Sequence, residues 1–243
     1  MFQERHYREK TRCDGLVRYN VRIKESDLLI HTVGDFSAVS TQYLDKIRLD
    51  LETYIKANPF FAASFEPLNV DPNAPLIVKK MSDAAYASGV GPMAAVAGAI
   101  SELMGIMLLT LSSEVLIENG GDNFLSSSKE RMVGIYAGNS PLSNKVALRI
   151  KPNAMPIGIC TSSATVGHSI SLGKTDACVV ASKSAALADA AATAIGNIVH
   201  SSSDIEKGLE KARGIPGVIG AVIIVGERLG VCGDLELRHT DLA

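Results

Sequence analysis

The chain has 243 residues, of which 47% are hydrophobic and 21% charged; this supports a sizeable core and excludes a disordered polypeptide. Its formal net charge is -2, aromatic residues make up 5% and tryptophan is absent. Neither a basic face for nucleic acid or anionic membrane nor a base-stacking platform is therefore expected.

The first residues, MFQERHYREKTRCDG, are charged and lack the apolar run of a signal peptide, which points to a cytoplasmic protein. Leu16 to Ile23 alternates apolar and polar residues, and LLIHTV follows after KESD, so the two predict a hairpin. The next segment, SAVSTQYLDKIRLDLETYIKANP, repeats apolar residues at helical spacing, with Tyr43, Ile47, Leu51, Tyr54 and Ile55 on one face. A Pro- and Asn-rich loop comes next, then LIVKK, read as a short strand. Val90 to Ser113 approaches the length of a bilayer span. Glu102 at its centre, Pro92 near its start and its many small residues favour instead a buried core helix from Pro92 to about Leu111.

Strand signals then follow in EVLIE, RMVGIYAG, KVALRIK, IGICTS and ACVVAS, with the turn NGGD after the first. A small-residue helix is expected from Ser184 to about His200, then a polar helix SDIEKGLEKAR. Two final strands, GVIGAVIIVG and RLGVCGDLEL, close the chain. Helices alternate with runs of strands, and no linker or fixed-period repeat divides them. The expected fold class is α+β, with mixed or antiparallel sheets and packed helices. Residues 1–243 read as a single domain or as two intimately packed α+β halves.

Two phosphate-binding patterns are decoys. GHSISLGKTD ends like a P-loop, but five residues separate Gly167 from Gly173 where four are required. A strand also follows it, where a P-loop opens a helix. GVGPMA, Gly89 to Ala94, fits a relaxed dinucleotide fingerprint, but MSDAAYAS before it is a poor strand former. Gly-Pro there reads as a helix-entry turn whose amides suit an anion.

Three loops carry groups suited to an anionic ligand, and a helix adds a fourth element of different character. The first is that helix entry. The second is ENGGD, where Gly120 and Gly121 let backbone approach a ligand beside Asn119 and Asp122; read alone, it is also a plain hairpin turn. The third is CTSSATVGHS, a strand end followed by hydroxyls and His168. In the fourth, Asp189, Thr193 and Asn197 fall at i, i+4 and i+8 and share one helical face among alanines. Such a face is either a solvated stripe or a hard-cation site, since a carboxylate and a hydroxyl one turn apart can reach one Mg²⁺.

GPMAAVAG, ENGGD, TSSATVGHS and ADAAATA occur in an order that resembles the ApbE-type FAD:protein FMN transferases, over residues 88–200. The resemblance implies an ApbE-like fold and a shorter branch of that superfamily. It implies a small-molecule partner, a flavin or another phosphorylated cofactor, with a protein as acceptor of any transfer, and the cofactors FAD and Mg²⁺. By that resemblance Asp189 and Thr193 hold the metal, with Ala94 contributing its carbonyl. His168 takes the catalytic position beside the flavin diphosphate or the departing phosphate. Gly91, Asn119, Gly120, Gly121, Asp122, Thr161, Ser162 and Ser163 bind the cofactor.

Some features depart from the family pattern. Ala95 stands where the family's turn carries Lys, SISLGKTD stands where it carries DPRTG, and the exported leader common in the family is missing. The alternative reading is therefore a binding module that kept the pocket and lost the transferase chemistry. A third reading is a thiol enzyme pairing Cys160 with His168. The remaining cysteines, Cys13, Cys178 and Cys232, form no zinc-site spacing and read as reduced thiols.

Overall fold

The computed structural model describes residues 8, 13, 15–165 and 171–240. The chain opens with a hairpin of β1 (Val17–Ile23) and β2 (Ser26–Thr32), then α1 (Ser37–Ala57), α2 (Phe60–Ala63) and α3 (Leu76–Ser88). A 3-10 turn, Pro92–Ala95, leads into α4 (Val96–Leu108). Strands β3 (Val115–Asn119), β4 (Asp122–Ser126), β5 (Arg131–Gly134), β6 (Val146–Ile150), β7 (Ile157–Ser162) and β8 (Ala177–Ser182) follow. Helices α5 (Ala185–Gly196) and α6 (Ile205–Gly214) precede β9 (Val218–Val225), β10 (Arg228–Gly233) and β11 (Glu236–His239).

Eight strands form one sheet in the order β1-β2-β3-β4-β7-β8-β9-β10, and β11-β6-β5 form a second. The neighbouring strands pair antiparallel throughout, in agreement with the α+β expectation. The period-two alternation of β3 shows how the layers are built. Val115 and Ile117 face one core with α1, α3 and α4, while Leu116 faces a second core with Leu148 and Ile150 of the smaller sheet. Helices α5 and α6 pack on β8 and β9 around Cys178, Val180, Ala221 and Ile223. The large sheet is thus covered by helices on one face and by the small sheet on the other. No single helix among the described residues is long and apolar enough to cross a membrane.

Several expected boundaries change. LIVKK is not a strand but the opening of α3. Its Ile77, Val78, Met81, Ala84 and Ala85 are buried at helical spacing, so tertiary burial outweighs the β preference of Ile and Val. The helix expected from Pro92 to Leu111 begins as a 3-10 turn and ends at Leu108. The helix expected to reach His200 ends at Gly196. RLGVCGDLEL is two strands in different sheets rather than one. The break is at Gly233, whose φ of 80° suits glycine, and a Cβ there would stand 2.1 Å from the Ile219 carbonyl oxygen.

Glu102, the charge at the centre of the apolar α4, is buried but fully engaged. Its carboxylate accepts from Lys80 Nζ at 2.6 Å, Ser184 Oγ at 2.7 Å and the Ala186 amide at 3.1 Å. Burial opposes its charge, yet these donors hold its pKa below the ordinary glutamate value. Glu102 therefore caps the start of α5 and sets the position of the residues one turn further on.

Candidate functional site

A cleft of about 2100 Å³ opens beside the α4 and α5 helices. Gly91, Ala94, Asn119, Gly120, Gly121, Asp122, Thr161, Ser163, Asp189, Thr193 and Asn197 all line it. Segments far apart in sequence are thus brought to one cleft. His168 lies outside the described residues.

Asp189 is placed by helix packing. Gly98 has no side chain, and a Cβ there would stand 2.2 Å from the Ala185 carbonyl oxygen and 2.7 Å from Asp189 Cβ. That close approach lets Asp189 Oδ2 accept the Gly98 amide at 2.8 Å. Gly98 is in the first turn of α4, where amides lack intrahelical partners and no side chain at Ala95 caps them. The face that periodicity alone reads as solvated therefore turns its carboxylate to a neighbouring helix start.

The ENGGD segment is the turn between β3 and β4, with Asn119 opposite Asp122. Gly120 and Gly121 adopt φ of 70° and 103°, which side-chain-bearing residues rarely take. Asn119 Nδ2 donates to the Ala97 carbonyl at 3.2 Å, tying the turn to α4. The Gly121 amide donates to Glu118 at 2.8 Å. Glu118 is itself held by Arg8 at 2.5 Å, and Arg8 also pairs with Asp27 at 3.0 Å.

Asp122 is buried, and its Oδ1 has no hydrogen-bond partner. Burial pushes its pKa well up and the charge of Asp189 pushes it further, while contacts from Cys160 and the Thr161 backbone act in the opposite sense. Burial also raises Asp189, to about 7, against the amides of Gly98 and Ala97 that favour its charged form. Cys160 is fully buried, donates to the Ala185 carbonyl at 3.3 Å and is held protonated by burial and by both aspartates. That environment argues against the thiol-enzyme reading, which needs an accessible thiolate.

Thr193 lines the cleft one helical turn beyond Asp189. Asn197 instead anchors a loop, because its Oδ1 accepts the Leu172 amide at 2.9 Å. Beside it, a Cβ on Gly173 would stand 1.9 Å from the Gly196 carbonyl oxygen, and the Lys174 amide donates to Val199 at 2.8 Å. Gly-Lys-Thr is therefore a tight return against the end of α5, not a phosphate cradle. Thr161 and Ser163 reach the cleft, whereas Ser162 is buried with its Oγ 3.5 Å from where a Gly196 Cβ would be. Strand alternation accounts for that split. Gly91 permits the backbone of residues 64–65 to close against the turn, since a Cβ would meet the Ser64 oxygen at 1.8 Å.

Sequence reasoning missed Gly98, Glu102 as a cap, and Arg8. A glycine inside an apolar helix is unfavourable by itself, so Gly98 carried a signal of close helix approach. Arg8 carried none, because its partners Asp27 and Glu118 come from other strands.

Two electrostatically linked aspartates, an unsatisfied carboxylate oxygen and a threonine hydroxyl form an oxygen donor set that fits a hard divalent cation. No group of three or more His, Cys, Asp or Glu residues suited to a metal occurs among the described residues. A cation here would keep water or ligand oxygens, as Mg²⁺ does.

A family model described as AbpE bacteria matches residues 8–231. A UPF0280 protein of Methanocaldococcus jannaschii is 42% identical over 228 residues, covering 90% of this chain and 92% of its own. A UPF0280 protein of Methanococcus aeolicus is 44% identical over 233 residues, covering 93% and 94%. Among solved structures, the flavin transferase ApbE from Vibrio cholerae has a TM-score of 0.62 at 13% identity, covering 93% of this chain and 97% of that one. The apo form of Pseudomonas stutzeri flavinyl transferase ApbE has a TM-score of 0.59 at 15% identity, covering 93% and 95%. At these identities the likeness to the solved structures is one of fold.

Proposed function

The chain belongs to the AbpE bacteria family, and from that premise we propose that its cleft binds FAD with Mg²⁺ and transfers FMN to a hydroxyl of a protein acceptor. The observation that carries this reading is that Asp189 and Thr193, one turn apart on α5, line the same cleft as the buried Asp122, whose Oδ1 has no hydrogen-bond partner. Two buried carboxylates that resist being charged together suit a site completed by a cation.

Asp189 and Thr193, with the Ala94 carbonyl, would hold Mg²⁺, and Asp122 adds a second negative charge to the same wall. The ion would supply charge neutralisation at the FAD diphosphate. Gly91, Gly120 and Gly121 leave room for ligand atoms close to backbone, while Asn119, Thr161 and Ser163 line the same cleft. Ser162 is buried and would not touch the ligand, and His168, by the resemblance, would stand beside the departing phosphate. In the transfer, the acceptor oxygen bonds to the flavin-side phosphorus and the P–O bond to AMP breaks. AMP would leave, and the proton of the acceptor hydroxyl would pass to water.

A second reading, flavin binding without transfer, is favoured by Ala95. It is fully buried in the turn, at the position where the resembled family carries Lys. Release of AMP from FAD in the presence of Mg²⁺ separates the two. AMP formation that Asp189→Ala abolishes supports transfer. Saturable FAD binding with no AMP formed supports a carrier.

A further inference from the structure

Arg8 precedes β1 in sequence, is 6% exposed, and has no part in the proposed chemistry. Its guanidinium forks between two strands. Nε donates to Glu118 on β3 at 2.5 Å, Nη1 to the Asp27 carboxylate on β2 at 3.0 Å, and Nη2 to the Asp27 carbonyl at 2.7 Å. Arg18 Nη2, from β1, donates to the Arg8 carbonyl at 3.3 Å. A buried guanidinium held along its planar fork is a firm support, unlike an exposed ion pair between flexible side chains.

The Glu118 carboxylate has a second task. Its Oε1 accepts the Gly121 amide at 2.8 Å, while Asn123, opposite Glu118 in the ladder, donates through Nδ2 to the Gly121 carbonyl at 3.1 Å. Gly121 is thus clamped on both sides, and it needs the clamp. Gly120 and Gly121 both take positive φ, and glycine visits many backbone conformations at little cost, so the turn does not hold itself. Glu118 shares the face of β3 that carries Leu116, whereas Asp122, just after the turn, shares the face of β4 that carries Phe124. Glu118 therefore acts on Asp122 through the turn backbone and through its charge, which adds to burial and to the charge of Asp189 in raising the Asp122 pKa.

We infer that Arg8 is a positioning residue for the cleft: by holding Glu118 it fixes Gly121, and with it the glycine turn that sets Asn119 and Asp122 against α4. Those two residues meet α4 directly, Asn119 Nδ2 at the Ala97 carbonyl and the Asp122 carbonyl at Ser101 Oγ. A purely structural Arg8 would only fasten the start of the chain to the first hairpin, and Asp27 alone would serve for that. Two of its three donors do go to Asp27, so the two roles are separable by substitution. The consequence for ligand binding rests on the proposed function; the hold on Gly121 does not.

Amide hydrogen exchange of ¹⁵N-labelled protein, without ligand or metal, tests this, with the buried Val222 of β9 as the reference for global opening. Glu118→Ala, which removes the acceptor, should speed Gly121 exchange about tenfold relative to that reference, the loss of one hydrogen bond to a charged group. Arg8→Ala should reproduce most of that rise although the acceptor remains, and the two changes together should add little. Asp27→Ala, which loosens Arg8 only from β2, should leave Gly121 exchange near that of the unaltered protein. Arg8→Lys keeps the charge without the fork and should give a smaller rise, which serves if Arg8→Ala does not fold. Gly121 exchange that merely follows Val222 in the Arg8 variants, or that rises equally in Asp27→Ala, overturns the inference. Where the unaltered protein binds FAD, Arg8→Ala and not Asp27→Ala should weaken that binding severalfold, and equal affinity also overturns it. Failure of the unaltered protein to bind FAD, with Gly121 exchange behaving as expected, would count against the flavin reading alone.

Discussion

Asp189 on α5 accepts the Gly98 amide of α4 at 2.8 Å, while Glu102 on α4 accepts the Ala186 amide of α5 at 3.1 Å. Each helix therefore supplies a carboxylate to the first turn of the other. The exchange is possible because Gly98 brings the two backbones together. Only one of the two acids has a cationic partner: Lys80 neutralises Glu102. Asp189 faces the cleft instead, where a bound cation would serve it.

This asymmetry sets a pH dependence. The Asp189 pKa is raised to about 7 in the folded protein, against 3.8 ordinarily. A raised acid favours folding at low pH, and that contribution is lost as pH rises from about 4 through 7. In metal-free protein the Asp189 contribution should therefore be lost across that window, read at each pH as the difference in stability between the unaltered protein and Asp189→Asn. Asparagine still accepts the Gly98 amide. At pH 8, Mg²⁺ should raise the melting temperature of the unaltered protein and not that of the variant. Thermal melts across pH, with and without Mg²⁺, check both expectations.

Glu102→Ala should be a stability variant. It leaves Lys80, Ser184 Oγ and the Ala186 amide without their acceptor in a largely buried setting. A loss of about 3 kcal/mol is expected from breaking such a buried pair. Denaturant unfolding measures it, and an unchanged midpoint would mean that the cap is dispensable.

Gly98→Val should impair both packing and the site. Its added atoms would collide with the Ala185 carbonyl and with Asp189. Overpacking of this kind costs about 1–3 kcal/mol. Because the helices must separate, Mg²⁺ stabilisation should fall as well. Retained Mg²⁺ stabilisation alongside a lowered midpoint would separate packing from function at this position.

His31 provides a second pH signature, of opposite sign. It is 4% exposed, and burial, followed by the charges of Arg18 and Arg131, lowers its pKa to about 4. A depressed histidine stabilises the fold above its unfolded value near 6.5, and that stability is lost as pH falls towards 4. The full loss is about 3 kcal/mol. His31→Leu should remove this acid sensitivity in unfolding curves taken between pH 7 and 4.

Much of the architecture was legible because burial imposes a period. The alternation around β3, the helical spacing of α1 and the polar face of α5 all follow from local sequence. LIVKK misled because its apolar run suits either a strand or a buried helix, and only packing against α5 and α4 decides between them. The crossing of β11 into the smaller sheet was invisible, since a glycine in a strand run signals a break but not its destination. At the site, residue types and order located Asp122 and Asp189 on one cleft. The long-range parts were not legible: the Gly98 amide and the Asn197 anchor on Leu172 each depend on a partner from another element.

The most direct measurement is calorimetric titration of the purified protein with FAD, with and without Mg²⁺, on the unaltered chain and on Asp189→Ala. Saturable FAD binding that requires Mg²⁺ and disappears in a folded Asp189→Ala variant is the expected result. FAD binding that is indifferent to Mg²⁺ and to the substitution, or no binding under either condition, would contradict the account.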